Sequence, residues 1–230
     1  MSRPIAVAID GPGSAGKGTV ARGVARALGY RYVDTGAVYR AVALMAARQG
    51  ISWSDGPSVA ALAGGLEFDF SWDGDVLHIF TNGEDVSTLI RTEELSRGAS
   101  DVSSLPEVRA VLLDLQRRLG AMGGVVMDGR DIGTVVLPHA DLKIFLDADL
   151  DERARRRHEE MLRRGDTRSF AEVRDALAAR DRQDQERAVA PLRAADDAIH
   201  LDTTELTIRV AIDRVIELAL LRSTSSRDGR

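Results

Sequence analysis

The sequence predicts an α/β fold in which helices cover both faces of a parallel sheet and a small antiparallel lobe is inserted. Three observations carry this. Short apolar stretches of strand length alternate with helical patterns along the chain. The first of them runs through a glycine-rich loop directly into a helix. The alternation breaks once, near residues 66–83, where apolar residues recur at every second position.

The elements follow in order. Ile5–Ile9 is an apolar run of strand length. Lys17–Leu28 places Val20, Val24 and Leu28 at four-residue spacing, with Ala21 and Ala25 beside them, the face of a helix. Arg31–Val33 is the second strand and Ala37–Gln49 the second helix. Leu66, Phe68, Phe70 and Trp72 then alternate with Glu67, Asp69 and Ser71. Asp73-Gly74-Asp75, Val76–Phe80 and Asn82-Gly83 complete a half-exposed hairpin. A subdomain of roughly residues 51–99 is expected, as decoration or as a substrate-side lobe; the pattern does not choose. Pro106–Leu119 is a helix with Val108, Val111, Leu112, Leu115 and Leu119 on one stripe. Strands follow at Gly124–Met127 and Leu142–Leu146. Asp149 with Glu152 predicts a capping box opening a helix over Leu150–Arg164. A helix over Ser169–Glu186, a strand over Ala198–Leu201 and a helix over Leu206–Leu221 complete the layout. The polar tail Ser223–Arg230 is expected to be disordered.

Composition narrows the function. The 230 residues are 44% hydrophobic, which suits one sizeable domain with an insertion. A net charge of −5 argues against general nucleic-acid binding. Cysteine is absent, so disulfides and thiolate metal sites are excluded, and a cytoplasmic location is expected. His78, His139, His158 and His200 are scattered without metal-ligand spacing. No signal peptide and no membrane-spanning run is evident.

Of the 31 basic residues only Lys17 and Lys143 are lysines. Lys17 stands in Gly11-Pro12-Gly13-Ser14-Ala15-Gly16-Lys17-Gly18-Thr19. Glycines let the backbone curl and bring its N–H groups to an anion, and the following helix N-terminus favours negative charge. A slim ammonium stem threads such a loop where a guanidinium fork cannot. This is a phosphate-binding loop for a nucleotide. Gly18, rather than Ser or Thr, follows the lysine, so no magnesium ligand is assigned from the loop.

The arginines suggest the acceptor. Asp34-Thr35-Gly36 with Tyr39-Arg40, and Asp128-Gly129-Arg130-Asp131, follow two strands and would face the cleft at the sheet's carboxyl edge. Arg180, Asp184 and Arg187 share one helix face, as a solvated charge ladder or as a binding face. Arg153, Arg156 and Arg157, near Arg163, Arg164 and Arg168, form either a solvated helix or a lid over phosphates. Many cations suit transfer between two phosphates. A monophosphate, with a second pKa of about 6, is already nucleophilic at pH 7 and needs cations to relieve repulsion rather than a base. Asn-Lys-x-Asp and protein-kinase signatures are absent.

With Asp34–Arg40, Gly83–Ser87, Ile90–Thr92, Asp128–Thr134, Lys143–Asp147 and Arg187–Leu192 added to the loop, the chain resembles the bacterial cytidylate kinases, a family of nucleoside monophosphate kinases. The Gly18-Thr19 ending fits that resemblance. It implies a P-loop kinase domain over residues 1–222 with a five-stranded parallel sheet, a monophosphate-binding lobe at about 37–99 and a lid at about 152–170. It implies ATP and Mg2+ as donor and cofactor, CMP and dCMP as acceptors, and a monomer. Gly11–Thr19 would cradle ATP, with Lys17 stabilising the transferring group. Thr35, Arg40 and Arg130 would hold the acceptor phosphate. Ser100, Arg109 and Asp131 would read cytosine with Arg187 nearby, and Arg180 and Asp184 would hold the sugar. Arg156 and Arg157 would be the lid arginines. A UMP kinase, a P-loop ATPase acting as a regulator, and a hydroxyl kinase with Asp34 as base remain as alternatives.

Overall fold

The computed structural model describes residues 3–225 except Asp75 and Met122. Its core is a five-stranded, all-parallel sheet. The strands are β1 (Ala6–Asp10), β2 (Arg31–Asp34), β6 (Val125–Gly129), β7 (Leu142–Asp147) and β8 (Ile199–Asp202), in the order β2-β6-β1-β7-β8. Side chains of β1 alternate between the faces. Val7 and Ile9 pack with Val20 and Val24 of α1 (Lys17–Leu28) and with Ala211 and Val215 of α8 (Ile208–Ser225). Ala8 faces the other side, where Val33, Val125 and Met127 meet Leu119, Ile132 and Val136. Central strands buried on both faces explain why their sequences are apolar without alternation.

The helix α2 (Thr35–Arg48) leads from β2 into the insertion. It starts two residues earlier than predicted, because the Asp34 carboxylate accepts from Ala37 N at 3.0 Å and caps it. The inserted hairpin is β3 (Phe68–Asp73) and β4 (Val76–Thr81), with β5 (Glu84–Asp85) added after Asn82-Gly83. Asp75 of the expected turn lies outside the described residues. Two helices of the insertion were not predicted, α3 (Gly56–Gly65) and α4 (Glu93–Ser104). The first is glycine-rich and nearly without a polar face; the second carries one glycine and four serines. Both form because α2 and α5 (Pro106–Gly120) supply an apolar surface, through Val42, Val108 and Leu112, against which Val59, Ala99 and Val102 pack.

Between β6 and β7 the chain makes a single π-helical turn, Ile132–Val136. The helices α6 (Leu150–Arg163) and α7 (Phe170–Glu186) form a hairpin between β7 and β8. The capping box expected at Asp149 does not form: the Asp149 side chain makes no cap, and Glu152 turns to Arg155 and Arg156 instead. The box sits at the next helix, between Ser169 and Glu172. α8 extends to Ser225, three residues into the stretch expected to be disordered, and residues 226–230 lie outside the described residues. Among the described residues no helix is long and apolar enough to cross a membrane.

Candidate active site

The strands β1, β2 and β6 end side by side, and the chain leaves them through Gly11–Thr19, Thr35–Arg40 and Arg130–Asp131. Parallel sheets place ligands at this edge. The segments meet around one cleft of about 1310 Å³. That exceeds the roughly 300–1,000 Å³ of a site for one small ligand.

The phosphate loop is shaped by two glycines. At Gly11, φ is 148° and a Cβ would lie 1.9 Å from the Leu146 carbonyl oxygen. Gly16 is left-handed, and no side chain caps α1, so the first N–H groups of that helix are available to an anion. Lys17 is buried and donates from Nζ to the Pro12 carbonyl at 2.6 Å. Burial, then the Arg130 charge, brings its pKa down to about 7. Lys17, Ser14, Gly16, Gly18 and Thr19 line the cleft; Gly11, Pro12, Gly13 and Ala15 lie behind its surface.

Close to the loop, Thr35 Oγ1 donates to the Asp128 carbonyl at 2.8 Å. Arg40 pairs with Asp34 at 2.7 Å, and its buried Nε has no partner. Arg130 Nε meets Asp184 at 2.9 Å. The Arg180 Nε is likewise buried without a partner; burial and then Arg130 lower its pKa to about 10. Asp131 is gripped by Arg109 and, at 3.3 Å, by Arg187. The Arg109 guanidinium lies 5.8 Å from the centre of the Tyr39 ring. Ser100 is buried behind the wall, where Ala99 and Ser103 face the cleft, and its hydroxyl donates to Gln183 Oε1 at 3.3 Å. From α6, Arg156 pairs with Glu152 and donates to the Thr203 carbonyl at 2.6 Å. Arg157 pairs with Glu160 and reaches Glu93 on α4.

The cytidylate kinase family profile matches residues 7–220. The chain belongs to the cytidylate kinase family. It is similar to proteins named cytidylate kinase from Exiguobacterium sp. (47% identical, covering 94% of this chain and 98% of the relative) and Desulfitobacterium hafniense (50%, covering 95% and 94%). The relative from Chromobacterium violaceum is 48% identical, covering 94% of this chain and 96% of its own.

In this member of the cytidylate kinase family, several site groups had been given no role by the sequence. Asp10 ends β1 and accepts from Ile132 N and Gly133 N. Asp128 lies beside the phosphate loop and accepts from the Tyr32 hydroxyl at 3.0 Å; burial, then the Asp34 charge, raises its pKa to about 6. Each is an acid terminating an apolar strand at the ligand edge, and that position was the available signal. Arg91 joins Arg40 on Asp34 at 3.1 Å. Burial pushes the Asp34 carboxyl up, but the Arg40 and Arg91 charges outweigh it and hold the pKa below the ordinary value. Asp34 is thus a weak base, which counts against the hydroxyl-kinase alternative. Lys143 bonds the Pro138 carbonyl at 2.6 Å and Asp197 at 2.8 Å, tying two connections together.

Proposed function

We propose that this chain transfers the γ-phosphoryl group of ATP to CMP or dCMP, giving ADP and CDP or dCDP. The observation that carries this reading is the convergence of Lys17, Arg40, Arg130 and Arg180 on one cleft, with N–H groups of Arg40 and Arg180 left unpartnered. Such a cluster is both buried and self-repelling: burial first, then the Arg130 charge, lowers the Lys17 and Arg180 values. Two phosphorylated ligands would supply the missing negative charge.

In this reading the Gly11–Thr19 backbone and the N-terminus of α1 cradle the donor, with Lys17 at the outer phosphates. Thr35, Arg40 and Arg130 hold the acceptor phosphate. Its ionised oxygen attacks the γ-phosphorus while ADP departs, so no protein base is required. The catalytic contribution is positioning and stabilisation of charge on the transferring group, shared by Lys17 and Arg130, with Arg156 and Arg157 approaching from α6. Arg180 and Asp184 address the sugar. Asp131 offers carboxylate acceptors to the cytosine amine, and Arg109 and Arg187 offer donors to its acceptor atoms, with Ser100 behind. Both Asp131 oxygens keep a second lone pair after meeting the arginines.

Magnesium fits this donor set. Among the described residues no three His, Cys, Asp or Glu side chains cluster to bind a metal unaided. A magnesium ion carried by phosphates needs only one or two carboxylates. Asp128, lining the cleft beside Gly18 and Lys17, is the carboxylate suited to hold it. The ion would neutralise phosphate charge.

The test is ADP release with ATP and magnesium against CMP, dCMP, UMP, AMP and GMP, and with no acceptor. Turnover confined to CMP and dCMP is expected. Release at equal rates with and without CMP would make the chain an ATPase and overturn the proposal, and a preference for another monophosphate would overturn the base-reading roles.

A further inference from the structure

The turn that carries Asp131 departs from the usual chemistry of helix ends. Asp131 immediately precedes the π-helical turn Ile132–Val136. An aspartate in that position ordinarily accepts a hydrogen bond from the second or third N–H of its own helix. Asp131 makes no such cap, because its two oxygens are held by Arg109 and Arg187. The N–H groups of Ile132 and Gly133 would then be buried orphans. They are taken instead by Asp10, one on each carboxylate oxygen, both at 2.7 Å. Asp10 is 4% exposed and ends the strand next to β6, where it pairs in register with Gly129. The fit is close: a Cβ at Gly133 would stand 3.3 Å from Asp10 Oδ2 and 3.1 Å from Lys143 Cδ.

The geometry points to Asp10 as a positioning residue for acceptor selection: it caps the Ile132–Val136 turn from the neighbouring strand and so leaves the Asp131 carboxylate free for the nucleobase. This rests on the reading above, in which Asp131 meets cytosine. Asp10 also directly precedes Gly11. One side chain therefore sets the base-reading turn against the start of the phosphate loop. Without this cap, the Asp131 carboxylate is the nearest side-chain acceptor in sequence for the freed Gly133 N–H. Turning to it would cost Asp131 the arginines and the base.

The test measures kcat/KM for CMP and for UMP with the full-length protein, Asp10→Asn, Asp131→Asn and the double variant. Asparagine keeps the size of aspartate but accepts with one atom only, setting an N–H2 group against the second backbone donor. Asp10→Asn is expected to lower the CMP-to-UMP ratio about five- to tenfold, the worth of one hydrogen bond. The loss should lie mainly in KM for CMP, with KM for ATP nearly unchanged. Added to Asp131→Asn, it should lower the ratio no further. If Asp131→Asn lowers the ratio and Asp10→Asn does not, the positioning role is overturned and base reading by Asp131 stands. If Asp131→Asn itself leaves the ratio unchanged, the underlying reading fails and the proposal with it. Equal losses for CMP, UMP and ATP would mark Asp10 as a fold-stabilising residue only and overturn the proposal. Should Asp10→Asn not fold, Asp10→Ser, with a single short acceptor, carries the same comparison.

Discussion

Lys17 is a cation placed where its charge is poorly supported. Its ordinary pKa of 10.5 falls to about 7 under burial and the nearby Arg130. A polyphosphate beside it would favour the ammonium and raise that value. Between the two values the nucleotide-bound protein holds more protons than the free protein. Binding therefore takes up a proton, and apparent affinity falls as pH rises above 7. Calorimetry of ATP binding at pH 8, in buffers of different ionisation enthalpy, should show uptake of roughly one proton, removed by Lys17→Met. No uptake in the unaltered protein would overturn this. Lys17 and its loop were legible because the motif is contiguous, so spacing alone placed strand, turn and helix. Asp10 was not legible. Its partners lie 122 and 123 residues away, and nothing local distinguishes an acid that caps a remote turn from one that faces water.

Among elements, the α6–α7 hairpin shows how sequence proximity misleads. Arg153, Arg156 and Arg157 read as one cluster, yet they have three destinations. Arg153 points inward, where its guanidinium bonds the Ala148 and Gly13 carbonyls at 2.8 and 3.2 Å and pairs with Asp181 at 2.6 Å. It thus fastens both helices to the phosphate loop. The second Asp181 oxygen is buried without a partner, so this carboxylate depends on Arg153. Arg153→Ala should cost about 3–5 kcal/mol of unfolding free energy by leaving a buried charge uncompensated. Urea denaturation checks this, and a loss below about 1 kcal/mol would mean that water reaches Asp181. Replacing both partners, as in Arg153→Met with Asp181→Leu, should recover much of the loss. The five core strands and their helices were legible, the central strands as short continuous apolar runs and the helices by their periodic faces. α4 was not, because its serines and glycine carry little helical preference and its stability comes from packing on α2 and α5.

At the scale of the whole molecule, the sheet edge brings together the phosphate loop, the insertion and the α6–α7 hairpin. The last two also touch each other. Glu93, in the first turn of α4, accepts Arg157 of α6 and lies 3.7 Å from Arg168 beyond it. Arg157 has a second carboxylate in Glu160 at 2.8 Å. A guanidinium held by two carboxylates has its charge already matched, so Glu93 competes with nucleotide for the arginine proposed to approach the phosphates. The pair is partly solvated, with side-chain exposures of 20% and 38%, which limits its worth. Glu93→Gln removes the charge and keeps the shape. It should tighten ATP about two- to fivefold at low salt, the scale of a solvent-screened ion pair. The gain should shrink as salt screens the competing carboxylate in the unaltered protein. In an Arg157→Gln background the same change should have little effect, because the group competed for is gone. Equilibrium binding of ATP to the four proteins at two salt concentrations decides it. If Glu93→Gln weakens ATP binding, the contact between insertion and hairpin assists the nucleotide-holding arrangement rather than opposing it, and Arg157 serves closure instead of the phosphates.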